Sequence, residues 1–187
     1  VYNVEILNAR EAIVETRDIE RVKILTGDVK LKHKGTLIYC DSAIIHENNN
    51  IDAFGHIVIT RPSGTKIQGN YLNYFSQLKL AVIKEDVVLT DKKSKLYTTD
   101  ITYDMNHDIG YYLNGGKLIN DQTTITSLHG TFYSKTSTVL FKQNVKIDNP
   151  KYKLSSDSLL YNTKLKRTYF TSSTKIDNDS GYIWCNS

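Results

Sequence analysis

A repeat of about 29 residues runs through the chain, and it limits the possible folds more than any other feature. Short apolar-x-apolar motifs recur, among them Val29-Lys30-Leu31, Ile57-Val58-Ile59, Val87-Val88-Leu89 and Val145-Lys146-Ile147. Taking the last residue of each as an anchor gives Leu31, Ile59, Leu89, Ile119, Ile147 and Ile176, with spacings of 28, 30, 30, 28 and 29. Six residues before each anchor stand Leu25, Ala53, Ile83, Leu113, Phe141 and Phe170, a wholly apolar column. An even separation along an extended strand puts both columns on one face.

A second column follows each anchor by ten or eleven residues: Asp41, Asn70, Asp100, Gly130, Asp157 and Asn186. Three residues before it lie Ile38, Ile67, Tyr97, Ser127, Leu154 and Ile183, and two after it lie Ala43, Leu72, Thr102, Phe132 and Leu159. Segments such as Lys34-Gly35, Arg61-Pro62-Ser63-Gly64 and Asp148-Asn149-Pro150 separate the columns. They are turn chemistry: Pro presets φ, while Gly, Asn and Asp tolerate left-handed backbone. Each copy therefore reads as strand, turn, strand, turn. With an earlier half copy at Leu7-Asn8-Ala9-Arg10, the chain holds about six and a half copies and thirteen strand segments, rich in Ile, Val, Thr, Tyr and Phe. The stretch from Ala9 to Arg21 contains helix formers, but the repeat favours two strands. The expected architecture is all-β, a stack of antiparallel hairpins that bury their apolar faces against one another. No change of composition marks a domain boundary, so residues 1–187 are expected to form one domain. The last copy stops within a strand at Trp184-Cys185-Asn186-Ser187, which suggests truncation at the C-terminus.

Composition removes several function classes. No stretch approaches the roughly 20 apolar residues of a membrane-spanning helix. Twenty-four basic residues against 20 acidic ones give a net charge of +4 with the signs interspersed, unlike the dense basic stripe of a nucleic-acid binder. Phosphate loops, dinucleotide fingerprints and hydrolase motifs are missing, and neither a metal site nor a cofactor is expected. The five histidines are scattered and sit mostly near turns. Cys40 and Cys185 occupy equivalent positions five copies apart, at least roughly 24 Å at one strand spacing per copy, too far for a disulfide. Asp41, Asp100 and Asp157 carry a rival reading, catalytic acids in line along a polysaccharide-active β-solenoid. Asn70, Gly130 and Asn186 in the same column favour a backbone role instead.

The stretches Leu25-Thr26-Gly27-Asp28-Val29-Lys30-Leu31, Gly35-Thr36-Leu37-Ile38-Tyr39-Cys40-Asp41-Ser42-Ala43 and Asp52-Ala53-Phe54-Gly55-His56-Ile57-Val58-Ile59 together resemble the OstA-like, LptA-type family of lipopolysaccharide-transport proteins. The likeness extends over nearly the whole chain, and it lies in the tandem order of short motifs. It implies an antiparallel β-roll (β-taco or β-jellyroll), a periplasmic location in outer- or inner-membrane assembly, and a non-enzymatic role. It further implies a groove for lipopolysaccharide or another multi-acyl lipid, and like-folded partners joined edge to edge by strand pairing, with no nucleic acid. By strand parity the groove is expected to be lined by Leu25, Leu31, Ile38, Ile59, Ile67, Ile83, Leu89, Leu113, Ile119, Phe141, Ile147 and Leu154. A module that serves end-to-end assembly alone is the structural alternative. A closed core and an open trough share the same pattern, and sequence does not separate them.

Overall fold

A computed structural model describes residues 4–17, 19–178 and 181–185, and every regular element among them is a strand. In chain order these are β1 (Glu5–Asn8), β2 (Glu11–Arg17), β3 (Glu20–His33), β4 (Thr36–Ile45), β5 (Ile51–Thr60) and β6 (Lys66–Phe75). Then follow β7 (Leu80–Asp91), β8 (Ser94–Asp104), β9 (Ile109–Tyr112), β10 (Gly116–Asn120), β11 (Thr123–Ser127) and β12 (His129–Tyr133). The chain continues with β13 (Thr138–Asn149), β14 (Tyr152–Asn162), β15 (Arg167–Phe170), β16 (Thr174–Asn178) and β17 (Gly181–Cys185). All pairings are antiparallel, and the 17 strands form a single sheet. Four pairs, β1–β2, β9–β10, β11–β12 and β15–β16, are the two halves of one crossing interrupted near its middle. The chain thus traverses the molecule thirteen times, as the repeat predicts.

What folds this sheet into a roll is a pair of left-handed residues in the middle of alternate crossings. Gly27-Asp28, Gly55-His56, Glu85-Asp86 and Gln143-Asn144 all have positive φ, and the ladder register shifts at each of them. Two consecutive left-handed residues add a bulge and bend the strand. Every crossing except the last, which is described only through β17 in the first limb, therefore contributes one half to a first limb, which holds Leu31, Ile59 and Leu89, and the other half to a second limb, which holds Leu25, Ala53 and Ile83. The line of bends is the spine. Gly55 is required there, because a Cβ would strike the side chain of Asp41 on the neighbouring strand. Asp41 lies over that glycine and is hydrogen-bonded to Nδ1 of His56 at 2.7 Å, which gives this aspartate a structural role.

The thirteen crossings are in register along the first limb. Ile6, Leu31, Ile38, Ile59, Ile67, Leu89, Leu96, Leu118, Ile125, Ile147, Leu154, Ile176 and Ile183 pair in unbroken succession, every one Leu or Ile. From Leu31 to Leu154 these side chains are buried. In the second limb a row alternates bulk: Tyr74, Ala81, Tyr103, Gly110, Phe132, Val139 and Tyr161 pair in turn. Large residues beside small ones let the side chains of neighbouring strands interdigitate.

Two copies differ from the expected columns by one or two residues. Ile119 faces outward, and Leu118 takes the inner anchor position between Leu96 and Ile125. Leu113 is 57% exposed at the interruption between β9 and β10, and Tyr112 fills the interior in its place. On the facing strands Leu96 and Ile125 stand in the aliphatic line; Tyr97 faces outward, and Ser127 points inward but lies one step nearer the spine, where it meets the Tyr112 hydroxyl. At the spine, Thr99 and Leu128 occupy the column assigned to Asp100 and Gly130, so that Asp41, Asn70, Thr99, Leu128 and Asp157 follow at a uniform 29 residues. Asp100 is therefore not in line with Asp41 and Asp157. Gly130 is instead a packing site, because a Cβ there would overlap the ring of Tyr112.

Candidate functional site: a sealed aliphatic interior with a polar mouth

The site is built from the aliphatic line of the first limb facing the mixed rows of the second. Ten of the expected groove residues lie in this interior: Leu25, Leu31, Ile38, Ile59, Ile67, Ile83, Leu89, Phe141, Ile147 and Leu154, none more than 3% exposed. Leu113 and Ile119 do not. Sequence reasoning missed Tyr112, Leu118 and Ile125, all buried at 1% exposure or less. The adjacent aliphatics Leu118 and Ile119 leave parity ambiguous, and the large Tyr112 beside Leu113 was the available signal. The interior is closed on the side opposite the spine, so the apolar strip forms a filled core in this state.

The strands change chemistry as they approach their turns. On the first limb, one step beyond the aliphatic line, come His33, Thr36, Asp91, Ser94, Asn120 and Thr123, all buried. Polar side chains at such positions require partners, and His33 and Asn120 find them across the mouth, on the second limb. His33 Nδ1 is hydrogen-bonded to the Tyr74 hydroxyl at 2.6 Å. Asn120 donates to the carbonyl of Thr163 at 2.9 Å and to the Tyr161 hydroxyl at 3.2 Å. The Thr65 and Ser134 hydroxyls meet at 3.4 Å. At the rim, Lys166 forms an ion pair with Asp121.

Arg61 forms the strongest of these closures. Its guanidinium donates to Thr36 Oγ1 at 2.6 Å, to the Met105 carbonyl at 2.8 Å and to Asp108 Oδ1 at 2.9 Å. The Arg61 and Asp108 side chains are only 12% and 17% exposed, so this ion pair is largely removed from water. Arg61 Nε and Asp91 Oδ2 are buried without a hydrogen-bond partner. Burial pushes the Asp91 carboxyl above the usual carboxylate range, only partly offset by Lys92 nearby. Burial also pushes the Tyr74 and Tyr112 hydroxyls up to about 12, and both remain neutral hydrogen-bonding groups at physiological pH.

Cys40 is a free thiol facing the interior on β4, and burial, followed by the charge of Asp41, pushes it up to about 12, too high for a reactive thiolate. Cys185 lies on β17, ten strand pairings away because each copy contributes two strands, about 48 Å at the usual spacing. The five-step separation expected from the repeat was an underestimate.

A family model described as OstA-like protein matches residues 2–157. No curated protein sequence matches the chain. Among solved structures, the chain is similar to LptH from Pseudomonas aeruginosa, described as the LptA-homologous periplasmic component of the conserved lipopolysaccharide transport device. The identity is 14%, the TM-score is 0.50, and the alignment covers 66% of this chain and 94% of that one. At this identity the likeness concerns the fold: a folded-over antiparallel roll.

Proposed function

The chain belongs to the OstA-like family, and from that premise we propose that it is a non-enzymatic lipopolysaccharide-transport bridge whose interior receives acyl chains. The observation that carries this reading is the unbroken line of Leu and Ile from Ile6 to Ile176. A compact ligand would need only a few of these positions, whereas a chain lying along the roll meets an aliphatic side chain at every strand. Each methylene transferred from water to such a surface contributes about 0.8 kcal/mol, so a multi-acyl lipid gains enough to displace side chains from one another.

Entry is through the mouth. The two limbs are held there by single hydrogen bonds and the Arg61–Asp108 pair rather than by strand pairing, and this is the weakest closure in the molecule. Separating the limbs exposes polar groups that water can satisfy at low net cost and aliphatic surface that entering acyl chains cover again, whereas unfolding the spine breaks backbone ladders. We place the protein in the periplasm, in membrane assembly, with like-folded partners pairing onto the strand edges of its ends. Residues 1–187 act as one unit in this reading.

A photo-crosslinking amino acid at Ile67 tests the proposal, with Val82 on the outer face of the second limb as control and purified lipopolysaccharide as probe. Adducts are expected at Ile67 and not at Val82, and Arg61→Ala should accelerate their formation. Equal labelling at both positions, or none at Ile67 in a protein with an unchanged circular dichroism spectrum, would rule out the interior as the lipid site.

A further inference from the structure

The two outer faces of the roll differ in charge. On the first limb the outward row nearest the spine contains Lys30, Lys117, Lys146 and Lys175, and the next row contains Lys32, Lys66, Lys95 and Lys153. Only Glu5, Asp148 and Asp177 oppose these eight lysines in the same rows, a surplus of five positive charges. That exceeds the +4 net charge of the whole chain. The two equivalent rows of the second limb hold Lys84 and Lys142 against Glu11, Asp52 and Asp100. Interspersed signs in the sequence are therefore segregated by the fold, because the period-two alternation sends the lysines that flank the aliphatic line outward on one limb only.

The lysines do not stand alone. Tyr39, Val58, Gln68, Val88 and Tyr97 follow one another between Lys30 and Lys117 in the row nearest the spine, four of the five aromatic or aliphatic. Lys30 Nζ lies 5.1 Å from the centre of the Tyr39 ring. A surface hollow of about 420 Å³, lined by Val88, Tyr97, Gly116 and Lys117, opens on the same face. From β3 to β16 the face extends over ten strand pairings, about 48 Å at the usual spacing. Aromatic and aliphatic bodies among long cationic side chains suit the boundary between headgroups and acyl chains, where lysine stems lie on apolar surface and the ammonium groups reach phosphate.

We propose that the outer face of the first limb docks on a bilayer surface rich in anionic phospholipid. The attraction is the charge complementarity between a face with a surplus of five positive charges, even with Lys32 and Lys175 ion-paired to Glu5 and Asp177, and a negative leaflet, which acts within about a Debye length. This contact uses the opposite side of the sheet from the interior, so it and the lipid-conduit reading fail or survive separately.

Co-sedimentation of the full chain with vesicles free of lipopolysaccharide tests it, using phosphatidylcholine alone and phosphatidylcholine with about one-third phosphatidylglycerol, at about 0.05 M and about 0.5 M salt. Binding is expected only to the phosphatidylglycerol vesicles and only at low salt. Neutralising Lys66→Gln, Lys95→Gln and Lys117→Gln together should lower the partition coefficient about 100-fold, at roughly fivefold per lysine near an anionic surface. The matched pair Lys84→Gln and Lys142→Gln on the second limb should change it by less than about twofold on the same reasoning. Absence of wild-type binding, equal losses in both variants, or full retention in the triple variant would overturn the proposal. So would tighter retention by duplex DNA than by the vesicles, with the same loss in the triple variant.

Discussion

Leu31 and Ile6 are direct neighbours on the same aliphatic line, yet Leu31 is fully buried and Ile6 is 41% exposed. Phe141 and Phe170 flank Leu159 in one row of the second limb, and again the first is fully buried while the second is 39% exposed. Within each pair the residues are of like chemistry and share a row; only the number of neighbouring crossings differs. In the middle of the roll each crossing is covered on both sides, whereas β1, β2 and β15 each have a side on which no described strand lies. Burial in a stacked repeat is therefore a property of the interface between copies, and stability resides there. The apolar strip is a core where it is covered and exposed apolar surface where it is not.

The largest test of this contrast puts a charge at each position. Leu89→Asp, in the covered middle, should cost at least ~4 kcal/mol and leave the chain largely unfolded in urea titrations, because a buried carboxylate has no partner there. Ile6→Asp should stay within about 1 kcal/mol of wild type. Comparable losses at both sites would mean that the ends are as tightly packed as the middle, and the contrast would be lost. Truncating the aromatic pair is gentler. Phe141→Ala should cost about 3–4 kcal/mol through the cavity it leaves, and Phe170→Ala about 1 kcal/mol, with chemical denaturation as the readout.

Arg61→Ala probes closure of the middle rather than its packing. It leaves Asp108 without its cation and should cost about 2–3 kcal/mol, less than a fully buried pair because both groups keep some contact with water. Hydrogen exchange sharpens the result: protection should fall first in the turns around Thr36, Met105 and Asp108, with the spine ladders unchanged. Uniform loss of protection would show that mouth and spine open together.

The thirteen crossings and their mean period were legible in the sequence because inner aliphatics alternate with outer polar residues along most strands. Parity was lost where the alternation is locally ambiguous. Leu118-Ile119 offers two aliphatics in succession, and the interruption at Leu113-Asn114-Gly115 removes the strand that would have fixed the register. The third and fourth copies slipped accordingly, and with them two of the expected groove residues. Closure of the mouth was not legible at all. Its partners are ordinary turn residues, Arg61 with Asp108 and Asn120 with Thr163, separated by 47 and 43 positions. Nothing in their local pattern distinguishes a turn that faces solvent from one that meets the opposite limb. The segregation of lysines to one outer face was hidden for the same reason, since net charge does not depend on which limb carries it.

Asp91 marks an imperfection in the sealed middle. Its buried Oδ2 lacks a partner, and burial raises its pKa, so the ionised form is disfavoured in the folded state. Asp91→Asn should stabilise the protein by about 1 kcal/mol at neutral pH. The sign follows from linkage: a carboxyl whose folded pKa is raised destabilises the fold once ionised. The gain should therefore shrink as pH falls through the folded-state pKa and vanish when the wild-type side chain is protonated in both states. A destabilised variant at neutral pH would show that the carboxylate has a use in the closed mouth.

The smallest effect lies at the border between the exposed and covered regions. His46 follows β4 and lies 3.2 Å from Glu20 at the start of β3 and 2.9 Å from Asp52 on β5, tying three successive crossings together at the edge of the covered region. Partial burial opposes its charged form, but the hydrogen bonds to Asp52 and Glu20 outweigh that and hold the imidazole above its ordinary pKa. A raised histidine pKa stabilises the fold fully below the unfolded value near 6.5 and loses that contribution as pH rises through the folded value. The difference in midpoint temperature between wild type and His46→Gln should accordingly be greatest in mild acid and close as the solution becomes alkaline, at less than about 1 kcal/mol for a partly exposed cluster. A difference that grows with pH would mean that His46 acts through packing, and that β3 is held to the covered region by its apolar residues alone.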